Sequence, residues 1–276
     1  PERHDLPEGT AGAHLDLVVA PEFLRPYSLL GDPADRSRYR IAVLREDQGR
    51  GGSALLHRVF TKGRRVFVSK PVNHFELVED AAKTLLMGGG IGVTPMIAFA
   101  HRLHILGKPF ALHYSSSTRA SAAFLAFLSQ MPWKDRVHLH LSDEGSRADL
   151  PALMSALPAG SHVYTCGPDA YMQSVMDAAE AAGVHEDARH LEYFSTPELP
   201  EYVNTPFTLR LSTGRDIAVV ADQSASDALI AAGVPVDIKC SDGICGVCKC
   251  TVKSGDVEHR DFVLSAKQRE TSMILC

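Results

Sequence analysis

Cys240-Ser241-Asp242-Gly243-Ile244-Cys245-Gly246-Val247-Cys248 is the stretch of this 276-residue chain that says most about its fold. It sets three cysteines at the spacing C-x4-C-x2-C, and Cys276 stands further on as a fourth sulfur. That is the spacing of a plant-type 2Fe–2S site. Gly243 and Gly246 suit a loop that must wrap a compact group and turn its N–H groups toward sulfur. A structural zinc site more often shows two C-x2-C pairs. No C-x-H occurs anywhere in the chain, so the two-histidine ligation of a Rieske centre is excluded. The expected ligands are Cys240, Cys245, Cys248 and Cys276, and Cys250 reads as a small buried apolar residue on a strand.

Around this loop the pattern is that of a small module. Two strands, 207–212 and 216–220, are joined at Thr213-Gly214, and a helix over 226–232 is capped by Ser224 or Ser226. Residues 198–205, with Pro200 and few aliphatics, read as a linker into a module spanning 206–276.

Upstream, over 81–197, strand and helix alternate. The expected strands are 83–87, 110–114, 137–141 and 162–166; helical runs cover 95–106, 120–128, 150–157 and 170–182. Alternation of this kind predicts a parallel sheet with helices on both faces. Met87-Gly88-Gly89-Gly90-Ile91-Gly92-Val93-Thr94-Pro95 joins the first strand to the first helix. Such a turn lets backbone approach a pyrophosphate at a helix N-terminus. It departs from G-x-G-x-x-G by placing Pro95 where the third glycine would stand, and by itself it is equally a tight structural turn. Cys166-Gly167-Pro168 follows another strand and is either a ligand-end cysteine or a buried core thiol.

Residues 1–80 read as short strands (13–19, 39–44, 65–69) between glycine and proline turns, which suggests a small antiparallel barrel. Arg25-Pro26-Tyr27-Ser28-Leu29 sets a cation, an aromatic and a hydroxyl on one strand, and Gly49-Arg50-Gly51-Gly52-Ser53 could cradle a phosphate through its amides. Taken singly, an exposed edge strand accounts for Arg25 equally well.

The global numbers agree with three ordered modules, one more than length alone predicts. Apolar residues make up 45% and charged residues 22%, so disorder, collagen and coiled coil are excluded as the main architecture. The uncharged run 84–100 is too rich in glycine to be a membrane helix, and no signal peptide stands at the start. A net charge of −5 without a basic block argues against nucleic acid. Clustered cysteines without a disulfide framework point to a reducing, cytoplasmic setting. Of the 13 histidines, His138 and His140 read as edge residues and His101 and His104 as packing residues; no H-E-x-x-H occurs. Asp242, Asp256, Glu258 and Asp261 read as a solvated acidic face, with a docking patch as the lesser alternative.

In this order the motifs resemble the phthalate dioxygenase reductase family, which includes the vanillate demethylase reductases, within the ferredoxin–NADP reductase superfamily. The likeness also includes Tyr39-Arg40-Ile41-Ala42-Val43, Pro71-Val72-Asn73-His74-Phe75 and Glu192-Tyr193-Phe194, and covers nearly the whole chain. It implies a multidomain α/β and β protein: an FMN-binding barrel, an α/β domain for NADH and a β-grasp-like 2Fe–2S ferredoxin domain. By the same resemblance Arg25, Tyr27 and Ser28 hold the flavin, Ala42 and Val43 line its ribityl side, and Gly51, Gly52 and Ser53 its phosphate. Gly89, Gly90, Gly92 and Thr94, with Cys166, Gly167 and Pro168, take the nicotinamide nucleotide. Thr94 also reaches the flavin, and Phe194 covers a ring face. Ser28, Cys166 and Phe194 are then the groups nearest the chemistry.

Two departures stand out. Ser115-Ser116-Ser117-Thr118-Arg119 replaces the family's Arg or Arg-Asp pair, so NADH is expected while Arg119 keeps NADPH open. The first barrel strand and a short C-terminal tail are expected to be missing. The implied function is a monomeric reductase that passes electrons from NADH through flavin and cluster to a separate terminal oxygenase. The alternative is a non-catalytic redox sensor or binding module.

Overall fold

The computed structural model describes residues 5–20, 23–49, 51–196 and 202–276. Arg50 of the glycine loop and residues 198–201 of the expected linker lie outside them. The chain forms two compact units, Pro1–Glu192 and Tyr193–Cys276. The first two expected modules therefore share one unit. Phe75, Phe99 and Tyr164 join them in a three-ring cluster with centroids 5.0–5.5 Å apart. The Tyr164 hydroxyl ties the connection further, accepting from the Val78 N–H at 2.8 Å.

The first unit begins with β1 (His14–Ala20) and β2 (Phe23–Ser28), then α1 (Gly52–Val59) and the two-residue β3 (Phe67–Val68). These strands form a three-stranded antiparallel sheet of order β2-β1-β3, not a closed barrel. The expected strand at 39–44 makes no ladder. Its alternation nevertheless sets the face correctly: Tyr39, Ile41 and Val43 pack on Leu15, Leu17, Val19 and Leu56. Period-two patterning reports burial, and a strand additionally needs a partner at hydrogen-bonding distance. Here the Leu30 N–H reaches the Arg40 carbonyl at 3.0 Å, without a ladder among the described residues.

The alternating region delivers the parallel sheet. It runs β4 (Thr84–Gly89), α2 (Val93–Ile105), β5 (Phe110–Ser116), α3 (Leu125–Leu128), β6 (Val137–Leu141), α4 (Leu150–Ser155), β7 (His162–Cys166), α5 (Asp169–Ala181) and β8 (Arg189–Glu192). Strand order is β6-β5-β4-β7-β8, all parallel. Every residue of β4 is buried, as a central strand covered on both faces must be. One face packs Leu86, Leu112 and Tyr164 against α2, and the other packs Leu85, Met87 and Val163 against α4 and α5. β4 crosses first to β5 and the chain later returns to β7 on its other side. The carboxyl ends of β4 and β7 thus frame a topological switch point, where such sheets bind ligands.

The second unit carries β9 (Phe207–Arg210), β10 (Asp216–Val219), α6 (Ala225–Ala231), β11 (Lys249–Thr251), α7 (Ala266–Arg269) and β12 (Ser272–Ile274). Its described strands make two antiparallel ribbons, β9-β10 and β11-β12, and not one β-grasp sheet. Strands of three or four residues leave the packing to side chains: Ile217, Val219, Leu229, Cys248 and Leu275 form the core. Ser224 caps α6 by accepting from the Asp227 N–H. No helix among the described residues is long and apolar enough to cross a membrane.

Candidate functional site

Three places gather the residues that the sequence singled out. The first is where β2 meets α1. Gly51, at φ 85°, turns the chain into α1, whose N-terminus has no side-chain cap and no acidic residue in its first turn. Arg25 from β2 lies against this terminus, so close that a Cβ on Gly52 would come within 3.0 Å of its Nε. An uncapped helix start beside a guanidinium fits a phosphate. Ser53 is half engaged, its Oγ accepting from the Glu46 N–H at 3.1 Å. Tyr27 packs its ring on the sheet core, and burial raises its hydroxyl pKa against the opposing charge of Arg25. Ser28 is buried opposite His14. Val43 turns its side chain into the core and gives its carbonyl to His57 at 2.9 Å, while the neighbouring Ala42 is half-buried.

The second place is the switch-point crevice. Here the glycines are demanded by backbone meeting backbone. A Cβ on Gly92 would stand 2.3 Å from the Cys166 carbonyl oxygen, and one on Gly167 would stand 2.9 Å from the Cα of Gly89. Gly89 is further closed by Pro168 and Tyr171. Gly90, at φ 54°, meets nothing within 4 Å. The thirteen-residue α2 starts beside it with no side-chain cap and no acid in its first turn, which fits an anion at the crevice. Thr94 is buried and spends its hydroxyl on the Ile91 carbonyl at 3.0 Å.

Cys166 is fully buried, and burial, with the charge of Glu192 adding, pushes its thiol well above the usual range. Glu192 stands opposite it in the β7-β8 register. The residue keeps some exposure, yet its Oε2 is enclosed with no hydrogen-bond partner, and burial pushes the carboxyl up to about 8. No separate sequence signal marks this carboxyl beyond its place in the Glu192-Tyr193-Phe194 run. Beyond the carboxyl ends of β5 and β6, Arg119 is held by Glu144 through two bonds of 2.9 and 2.8 Å, a pairing between segments 25 residues apart that spacing does not reveal.

The third place is the cysteine loop of the second unit. Cys248 Sγ lies 3.1 Å from Cys276 Sγ, and Cys240 is hydrogen-bonded to both Cys245 and Cys276. Those two bonds lower the Cys240 pKa and raise those of Cys245 and Cys276. Backbone amides converge on the sulfurs: Asp242 and Ile244 on Cys240, Val247 on Cys245 and Gly243 on Cys276. A set of thiols ringed by N–H donors fits an anionic iron–sulfur cluster. No group of three or more His, Cys, Asp or Glu among the described residues surrounds a single-ion position. Cys250 sits on β11 opposite Met273 and packs with the core. Phe194 also belongs to the second unit, with 44% of its surface exposed.

The remaining expectations divide. His138 and His140 lie on the edge strand β6, and His113 stacks with both, bonding His140 at 3.0 Å. His101 packs edge-on to Trp133, but its Nε2 is buried without a partner. The acidic face shrinks: Asp261 is buried inside the unit and Glu258 is paired with Arg260.

Residues 210–276 match the family model of the 2Fe-2S iron-sulfur cluster binding domain. Over 100% of its length the chain is 44% identical to the phenoxybenzoate dioxygenase subunit beta of Ectopseudomonas oleovorans, covering 86% of that protein. It is 37% identical to a vanillate O-demethylase oxidoreductase of Pseudomonas sp. (strain HR199 / DSM 7063), over 96% of this chain and 84% of that one. The crystal structure of a phthalate dioxygenase reductase, described as a modular structure for electron transfer from pyridine nucleotides to [2Fe-2S], superposes with a TM-score of 0.72. It shares 35% identity over 100% of this chain and 87% of its own.

Proposed function

The chain is an oxidoreductase of the family that includes phthalate dioxygenase reductase and vanillate O-demethylase oxidoreductase, and on that premise we propose that it carries electrons from NADH to a separate terminal oxygenase. The observation that supports this reading most is the set of four thiols in contact with one another and faced by backbone amides, on a chain whose whole length aligns with a phthalate dioxygenase reductase. In this reading Arg25 and the α1 terminus at Gly51–Ser53 hold the phosphate of FMN, with Tyr27 and Ser28 along β2. The crevice of Gly89, Gly90 and Gly92 with Cys166, Gly167 and Pro168 receives the nicotinamide nucleotide. Cys240, Cys245, Cys248 and Cys276 hold the cluster. When bound, the flavin accepts electrons in pairs from the nucleotide and the cluster hands them on singly to the acceptor.

The residues divide the work. The glycines of the crevice admit a ligand's backbone-close approach, and α2 offers its free amides to a pyrophosphate. Cys166 stays a neutral thiol, so it contributes shape and polarity without negative charge. Glu192 can hold a proton near neutral pH inside the crevice. The amides around the cysteine loop favour added negative charge on the cluster and so its reduced form.

Anaerobic addition of NADH to the reconstituted protein tests the proposal. Bleaching of the flavin absorbance and a rhombic 2Fe–2S EPR signal are expected. Cys245→Ser should lose the EPR signal and keep the bleaching, because the cysteines and the glycine crevice lie in different units. A protein that NADH leaves oxidised, with no sustained cytochrome c reduction, would be a redox sensor instead.

A further inference from the structure

Asp261 was expected on the surface, yet its side chain is only 3% exposed. A carboxylate is buried at substantial cost unless its oxygens are satisfied. Here one oxygen does most of the work. Oδ2 accepts from the Val263 N–H at 3.1 Å and from the Leu264 N–H at 2.8 Å, folding 261–264 into a tight turn. His259 Nδ1 stands 3.5 Å from Oδ1, and Arg269 donates to the Asp261 carbonyl at 2.8 Å.

The turn aims the Phe262 N–H at the Gly243 carbonyl, 3.1 Å away in the middle of the cysteine loop. Gly243 stands between the ligands Cys240 and Cys245, next to Asp242, whose N–H donates to Cys240 Sγ at 3.4 Å. The loop needs holding. Ser241 has φ 61° and Gly243 φ 71°, and a left-handed backbone strains any residue other than glycine. From this relay we infer that Asp261 is a positioning residue for the cluster: its carboxylate sets the turn that anchors Gly243, and Gly243 holds the loop whose neighbouring amide donates to a ligand sulfur. The inference rests on the cluster reading of the four cysteines and adds to it a residue that touches no sulfur.

Partners of this kind change metal affinity by roughly ten- to hundredfold when removed. In the full chain, Asp261→Ala should speed chelator-driven loss of the cluster absorbance by about tenfold or more. It should also move the cluster midpoint, read by EPR-monitored titration, to a more negative potential, because an N–H to sulfur bond is weakened. NADH bleaching of the flavin should be unchanged. Asp261→Asn still offers an oxygen to both amides and should stay near wild type, as should the exposed Glu258→Gln. An Asn variant shifted as far as Asp261→Ala overturns the positioning role, and so does an Asp261→Ala protein with two irons per chain and an unshifted midpoint. If Asp261→Ala cannot be recovered with iron, Arg269→Ala decides: the same direction of shift supports the role, and no shift overturns it. A wild-type protein with no 2Fe–2S signal would instead sink the cluster reading itself.

Discussion

Gly92 and Cys166 meet backbone to backbone: a methyl group on Gly92 would sit 2.3 Å from the Cys166 carbonyl oxygen. The two loops of the crevice therefore hold each other in place before any ligand arrives. Gly92→Ala must push them apart. Overpacking of this kind costs about 1–3 kcal/mol, so thermal unfolding of the first unit should move down by several degrees and NADH affinity should fall. At Gly90 nothing lies within 4 Å but φ is 54°, so Gly90→Ala should cost the strain of a left-handed residue, about 1–2 kcal/mol, without pushing the two loops apart. A Gly92→Ala protein with unchanged melting temperature and unchanged NADH affinity would contradict the backbone contact.

Arg119 is engaged by Glu144 beyond the carboxyl ends of β5 and β6, and both side chains are largely exposed. Exposed pairs add little stability, so the pair's consequence is electrostatic: Glu144 opposes an incoming 2′-phosphate and occupies the guanidinium that would bind it. Wild type should prefer NADH. Glu144→Gln should raise kcat/KM for NADPH severalfold without moving Tm, and adding Arg119→Ala should cancel the gain. Steady-state kinetics with both nucleotides checks this; an unchanged ratio in Glu144→Gln removes the pair from selectivity.

Glu192 gives the folded protein a pH signature. Its carboxyl titrates near 8 in the folded state and in the ordinary glutamate range when unfolded. Between those values the folded state binds the extra proton, so this group's contribution is intact at low pH and is lost as pH rises through about 8. His113 and His190 act oppositely: burial lowers both to about 4, so their contribution is lost as pH falls from about 6.5 to about 4. From about pH 6.5 to about 8, below the range of the buried thiols, Glu192 slopes the curve downward. Melting temperatures from pH 6.5 to 8.5 should fall in wild type and flatten in Glu192→Gln. A slope that survives the substitution would place the proton elsewhere.

Arg25 should matter for retention of the flavin. Losing a charge-assisted bond costs about 1.5–3 kcal/mol, so Arg25→Ala should weaken flavin binding roughly ten- to hundredfold. Equilibrium titration of the apoprotein with FMN measures it. Because FMN ends at the phosphate, an equal loss with riboflavin would show that Arg25 does not contact that group.

The parallel sheet and the cysteine loop were legible because each depends on local pattern. Strand-helix alternation over 84–181 reports two buried faces, and a C-x4-C-x2-C run reports itself. Two kinds of feature were not legible. The ladder expected at 39–44 depends on where a partner strand lies, and α1 opens with Gly51-Gly52-Ser53, which reads as loop. Arg119–Glu144 and Asp261–Phe262–Gly243 join residues distant in sequence, and nothing in their spacing announces the contact. Asp261 misled for a further reason: an acidic residue among Asp256 and Glu258 reads as surface, and only the amides of Val263 and Leu264 explain its burial.

The placement of β4 between β5 and β7 has a consequence for the order in which the molecule is assembled. During synthesis β4 can pair with β5 as soon as α2 is made, and Arg25 can meet α1 earlier still, since both belong to the first sixty residues. The crevice cannot close until β7 and the Cys166-Gly167-Pro168 turn have left the ribosome, because Gly92 and Gly89 take their shape from it. A nascent chain stalled before β7 would thus hold the Arg25–α1 contact complete and the glycine crevice unmade.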